Sequence, residues 1–171
     1  MFQLVLRVCL GLGLALATTI ARAATDGAVT VRYDHPENFT ETKEVRAFAP
    51  LQDDSGYLDR LARYMEKRAT AKLAPGEQLA ITVTDVDRAG SYLPSVGSAQ
   101  PIRIVESVYP PRIALHFRLL DSQGRVIREG DRKLTDLGFL YDNAGGATNT
   151  DSLRYEKRLI DRWLAKGPQA L

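Results

Sequence analysis

The pattern that most limits the folds open to this chain is a two-residue alternation closed by a turn. Ile113, Leu115, Phe117 and Leu119 alternate with Ala114, His116 and Arg118, so an extended strand here has one apolar side. Asp121-Ser122-Gln123-Gly124 follows, with a glycine for the positive φ of a tight turn, and a second strand over about Arg125–Leu134 can fold back on the first. Such a hairpin must cover its apolar side with other elements. Two more alternating stretches extend the sheet: Val29–Asp34, with Val29, Val31 and Tyr33 on one side, and Leu79–Asp85, with Leu79, Ile81 and Val83. Ile102 and Ile104, ahead of Pro110-Pro111, mark a further short strand.

Two segments switch to helical spacing. Leu58, Leu61, Ala62, Met65, Ala69 and Leu73 recur behind the capping residues Asp53, Asp54 and Ser55 and stop at Pro75-Gly76. Leu153, Ile160, Trp163 and Leu164 follow a start near Thr150 or Asp151 and end at Gly167-Pro168. His35-Pro36 ends the first strand, and Phe39–Pro50 reads as a connection with a short strand around Glu44–Phe48. Residues 86–100, which include Gly90, Pro94 and Gly97, read as a long loop or the arm of an extended hairpin; residues 142–151 read as a second loop. This order predicts the α+β class: a mostly antiparallel sheet of about four to five strands with two helices packed on one face.

The first residues belong to a different kind of segment. Arg7, the apolar run Val8–Ile20 and Ala21-Arg22-Ala23 make the three-part pattern of a cleavable signal peptide over residues 1–23. The run is shorter than the roughly 20 apolar residues a spanning helix needs. The expectation is an exported, periplasmic protein with a single domain over residues 24–171 and no transmembrane segment after processing. The chain of 171 residues has a formal net charge of +2, but both surplus charges, Arg7 and Arg22, and its one cysteine, Cys9, fall in the leader. The processed chain is neutral on balance and has no thiol. That excludes disulfides and cysteine nucleophiles, and composition gives no general attraction to nucleic acid.

Motifs for chemistry are sparse. Asp85-Val86-Asp87-Arg88-Ala89-Gly90 resembles the opening of a calcium loop, but Ala89 and Val96 stand where oxygen ligands are needed, so no metal is expected. His35 and His116 lack ligand partners at helical spacing, and Leu93 replaces the glycine a nucleophile elbow needs before Ser95. Arg60, Arg63, Lys67 and Lys72 share a helical stripe that Asp59 and Glu66 interrupt, as on a solvated face. Asp85, Asp87 and Asp136 lie at strand ends or beside loops, and with Arg112 they are the candidate contacts for a ligand or partner. Residues of this kind also serve as turn formers and ion-pair partners. No cofactor is expected.

Several short stretches together resemble a known group of proteins: Val31–Pro36 through Phe39-Thr40, Leu79–Gly90, Pro111-Arg112-Ile113, Leu134-Thr135-Asp136, and Tyr155-Glu156-Lys157 with Trp163. They identify an uncharacterised family of exported proteobacterial proteins, a domain of unknown function, over nearly the whole processed chain. Arg88 stands where that family usually has an aliphatic residue. The resemblance implies an exported, cysteine-free single domain and supplies no catalytic residues. The leading functional reading is a non-enzymatic binding or accessory module of the cell envelope, which meets an envelope protein or cell-wall component through its sheet face, sheet edge or loops. Two alternatives stand beside it. One is an envelope saccharide or peptide hydrolase using the strand-end carboxylates, and the other is a small-ligand carrier with an apolar pocket.

Overall fold

The computed structural model describes residues 27–49, 56–93, 101–141 and 149–167. The expected leader, the caps Asp53–Ser55, and residues 94–100 and 142–148 of the two expected loops lie outside them. The elements run β1 (Val29–Tyr33), a 3-10 turn, α1 (Thr40–Phe48), α2 (Gly56–Thr70), β2 (Gln78–Asp87), β3 (Ser91–Leu93), β4 (Ile102–Ile104), β5 (Arg112–Leu120), β6 (Val126–Thr135) and α3 (Arg154–Leu164).

Four strands form the main sheet in the order β1-β2-β5-β6, while β3 and β4 pair as a separate ribbon. The α+β class stands, but the sheet is mixed and not mostly antiparallel: β1 runs parallel to β2, from Val29↔Leu79 to Tyr33↔Val83. The cause is the connection. Residues 34–77 carry α1 and α2 between the two strands, and a crossover of that length returns the chain in the same direction, whereas a tight turn would reverse it. The β5–β6 hairpin forms where the alternation and turn predict. The Asp121 carboxylate accepts the N–H groups of Gln123 and Arg125 at 2.8 and 2.9 Å, and Gly124 takes φ +77°. The expected hairpin arm is β3, paired with β4 from Ser91↔Ile104 to Leu93↔Ile102.

One face of the sheet is covered as its apolar side requires. Leu61, Met65 and Ala69 of α2 and Ile160, Trp163 and Leu164 of α3 are buried with Leu79, Ile81, Val83, Ile113, Leu115, Phe117 and Leu119. Trp163 meets Phe117 edge-on, with ring centroids 6.1 Å apart. The opposite face is polar. Its rows include Thr82–His116–Asp131 and Ala80–Arg118–Glu129, with His116 2.9 Å from Asp131 and Arg118 3.2 Å from Glu129. These pairs are exposed and stabilise little.

The short strand expected around Glu44–Phe48 is the second half of α1, which makes a third helix beside the two expected. Its one fully buried residue is Glu41, so no apolar stripe announces it. Its N-terminus is capped from another element. Asp85, at the bulge in β2, accepts the Thr40 N–H at 2.7 Å and the Thr40 hydroxyl at 2.8 Å.

Candidate functional site

The four residues singled out by sequence take separate structural positions. Asp85 caps α1. Asp87 and Arg112 sit opposite each other on β2 and β5, and an Arg112 Nη1 to Asp87 Oδ2 contact of 2.7 Å joins them. Alternation along β5 puts Arg112 on the side away from the buried residues Ile113 and Leu115, the polar face. Asp136, 4% exposed, follows β6 and is turned toward α3. Its Oδ1 is 2.7 Å from Arg162 Nη1 and accepts the Gly138 N–H at 3.1 Å, and its Oδ2 is 3.4 Å from Arg158 Nη2. Asp87 with Arg112 and Asp136 with its arginines thus lie on opposite sides of the sheet. Among the described residues, no group of three or more His, Cys, Asp or Glu side chains could hold a metal ion, and no helix is long and apolar enough to cross a membrane.

A buried charge cluster that the sequence reading missed lies at the turn from β2 to β3. Glu41 of α1 is fully buried, and its Oε1 bonds Arg103 Nη2 of β4 and lies 3.8 Å from Arg88 Nη1. Its Oε2 accepts the Arg88 backbone N–H at 3.2 Å. Glu156 of α3, 1% exposed, accepts the Ala89 N–H at 2.8 Å through Oε1, while its buried Oε2 has no hydrogen-bond partner among the described residues. Arg103 Nη1 donates to the Gly90 carbonyl at 3.0 Å and its guanidinium lies over the Tyr92 ring at 4.4 Å. Neighbouring Glu44 accepts the Ser91 hydroxyl and the Tyr92 N–H. Two helices and the β3–β4 ribbon are therefore tied to one turn through charged groups removed from water. The only sequence signal was Arg88, in place of an aliphatic residue in Thr84–Gly90.

Burial pushes the Glu41 carboxyl up from 4.5 to about 7, with Arg103 and Arg88 opposing the rise, and burial raises Glu156 as well. Asp87 shifts the same way, again through burial. Acids raised in this way bind protons more readily in the folded chain than in the unfolded one, so the contribution of Glu41 to folding stability is full below about pH 4.5 and is lost as pH rises through about 7. The lowered acids Glu37, Asp121 and Asp151 act at the acid end, where stability is lost as pH falls below 3.8–4.5. His35, raised by Glu37, adds a loss in the same direction as Glu41 near neutrality, but it is fully exposed. The thermal midpoint should therefore fall between pH 5 and pH 7.5, and Glu41→Gln should flatten the slope. A midpoint that rises across this range, or a slope unchanged in the variant, would contradict the assignment.

Two clefts open where an edge strand meets a helix. One, of about 540 Å³, has Gly27, Val29 and Thr30 on the β1 side and Arg63, Glu66, Lys67 and Thr70 on the α2 side. The other, of about 290 Å³, has Lys133, Leu134 and Thr135 of β6 facing Leu159, Arg162, Trp163 and Lys166 of α3 and its end. Successive side chains of a strand point to opposite faces, so three consecutive residues line one cleft only where it meets the strand's edge. The β6–α3 cleft therefore reaches the main chain of an edge strand, a place where hydrogen-bonding groups can receive another chain.

Residues 27–166 match the model of DUF3016, described as a protein of unknown function, and the chain belongs to that family. No curated protein and no solved structure matches it.

Proposed function

We propose that this member of the DUF3016 family is a non-enzymatic binding module of the cell envelope. In this reading residues 1–23 export it to the periplasm, and it engages a partner through the open edge of its sheet. The observation that carries the reading is the position of β6: ten residues long, at the end of the strand order, with no strand on its outer side among the described residues and a cleft along its last turn of sequence. A partner segment in extended form can add to such an edge by main-chain hydrogen bonds, with the cleft taking a side chain. Arg128, Glu129, Asp131, Arg132 and Lys133 crowd β6 with charge, which discourages indiscriminate pairing between copies. The hydrolase reading draws less support, because Asp87 and Asp136 are engaged by arginines on opposite sides of the sheet.

A photocrosslinking residue placed at Glu129 in intact cells should give a discrete adduct with one envelope protein, and one at Lys72 should not. A synthetic peptide of the crosslinked segment should then shift the amide resonances of residues 126–135. Adducts from Lys72 alone, or peptide shifts confined to residues outside β6, would refute the edge as the binding surface.

A further inference from the structure

Five of the nine large apolar side chains left exposed among the described residues come from two turns: Val108 and Tyr109 before β5, and Leu137, Leu140 and Tyr141 after β6. Arg112, the first residue of β5, pairs with Thr135, the last of β6, so both turns leave the main sheet at the same end, on neighbouring strands. Residues 107–111 (Ser-Val-Tyr-Pro-Pro) and 137–141 (Leu-Gly-Phe-Leu-Tyr) hold no charged side chain, in a chain of which 26% is charged. Single exposed apolar residues are ordinary, but a charge-free group of them marks a contact surface. Both turns are held in shape from within. Tyr109 and Tyr141 donate their N–H groups to the Glu106 and Gly138 carbonyls, each at 3.0 Å, and the Tyr109 carbonyl accepts the Gly90 N–H at 3.0 Å. Phe139, 1% exposed, meets the Tyr155 ring of α3 edge-on at 4.9 Å, and Asp136 holds the Gly138 N–H. Around that anchor Leu137 and Tyr141 stand 74% and 86% exposed.

Resting on the envelope location proposed above, we propose that these two turns are a membrane-contact surface, with Val108, Tyr109, Leu137, Leu140 and Tyr141 entering the headgroup layer of a lipid bilayer. The side chains project from turns, and none of them lines either cleft. A protein partner would need a separate pocket for each, whereas a fluid bilayer closes around them. The chain offers no cover of its own beside them: residues 142–148, which follow Tyr141, are Asp-Asn-Ala-Gly-Gly-Ala-Thr, without a large apolar side chain. Tyrosine, with an apolar ring and a hydroxyl that stays in water, suits the headgroup level. The contact is peripheral, since no helix among the described residues is long and apolar enough to cross a membrane. With no charge in either turn, apolar burial drives it and salt affects it little.

The processed chain, from residue 24, should float with phosphatidylcholine vesicles in a density gradient, and equally at low and high salt. Tyr141→Trp should report the contact, its emission moving to shorter wavelength with vesicles and quenched by brominated lipid. Ile127→Trp, exposed at the other end of β6, should show neither response. Trp163, the chain's own tryptophan and 2% exposed, gives the same background in both. Leu137→Ser/Tyr141→Ser should weaken partitioning at least about tenfold, because two apolar side chains lose their burial in lipid. Its melting curve should match the parent, as both side chains stand in water in the free protein. No flotation, or equal flotation of the double variant, overturns the proposal. Flotation confined to phosphatidylglycerol vesicles and lost at high salt overturns it in favour of an electrostatic footprint. A vesicle-free parent that sediments as a dimer, which the double variant dissociates, overturns it in favour of contact between copies. A Glu129 crosslink that persists beside any of these results leaves the edge reading standing, and its loss with flotation intact removes that reading alone.

Discussion

Glu41→Ala should lower folding stability at pH 8 by about 3–5 kcal/mol, the range for removing one member of a buried ion pair. Arg88 is 6% exposed and the Arg103 side chain 14% exposed, so two guanidinium groups would lose their shared carboxylate where water does not readily replace it. The Arg88 N–H would lose its acceptor too. For a domain of this size the thermal midpoint should drop by about 10 °C or more. Replacing all three residues with apolar side chains of similar volume, as in Glu41→Leu with Arg88→Met and Arg103→Met, should recover most of the loss, because a buried pair and a packed apolar cluster differ little in net stability. A single variant as stable as the parent would show that the cluster is solvated and that its charges do not hold α1 and the β3–β4 ribbon to the turn.

Gly90→Ala is the second large expected effect. Gly90 has φ +85°, and a Cβ there would lie 2.5 Å from the Ile104 carbonyl oxygen and 3.1 Å from Val105 Cγ2. Backbone strain of this kind costs about 1–3 kcal/mol for a residue with a side chain. The close approach adds to it, because β4 must move away, and Arg103 on β4 then leaves both the Gly90 carbonyl and Glu41. We expect a loss of at least about 2 kcal/mol, read as a lower urea midpoint with an unchanged slope. Gly124→Ala is the control: its φ is +77° but nothing lies within 4 Å of its Cβ, so it should pay the strain without the collision. Equal losses at the two positions would remove the close-packing argument. Combined with Glu41→Ala, Gly90→Ala should cost less than the sum of the two, since both release the same Arg103 contact.

Period and turn chemistry made much of the fold legible. The strands β1, β2 and β5 and the helices α2 and α3 announce themselves through apolar residues at one spacing, β6 through the turn before it, and the structure places each near its expected span. The misses have a common cause in what spacing cannot encode. Alternation in β1 and β2 is the same whether the strands run parallel or antiparallel, so the mixed sheet was invisible until the crossover was seen to link them. The helix α1 buries a glutamate and no apolar stripe, so its second half read as a strand. For the candidate contacts, the sequence picked out acids and an arginine at strand ends and could not say what each one meets. Asp85 meets a helix N-terminus, Asp87 meets Arg112, and Asp136 meets two arginines of α3. Glu41, Arg103 and Glu156 had no local mark at all.

The sequence by itself determined most of the local elements and the alternation that gives the sheet one apolar face. Each follows from interactions among residues close in the chain or from composition, which are present before anything folds. Only the tertiary structure decided strand direction, the burial of Glu41 between Arg88 and Arg103, and the clefts where β1 meets α2 and β6 meets α3. Those depend on groups brought together from 47, 62 and other distant separations in the chain, where the energy lies in desolvation and direct charge contact. A glutamate in a string of polar residues reads the same whether it will face water or two arginines. The fold alone sets its surroundings, and with them its charge.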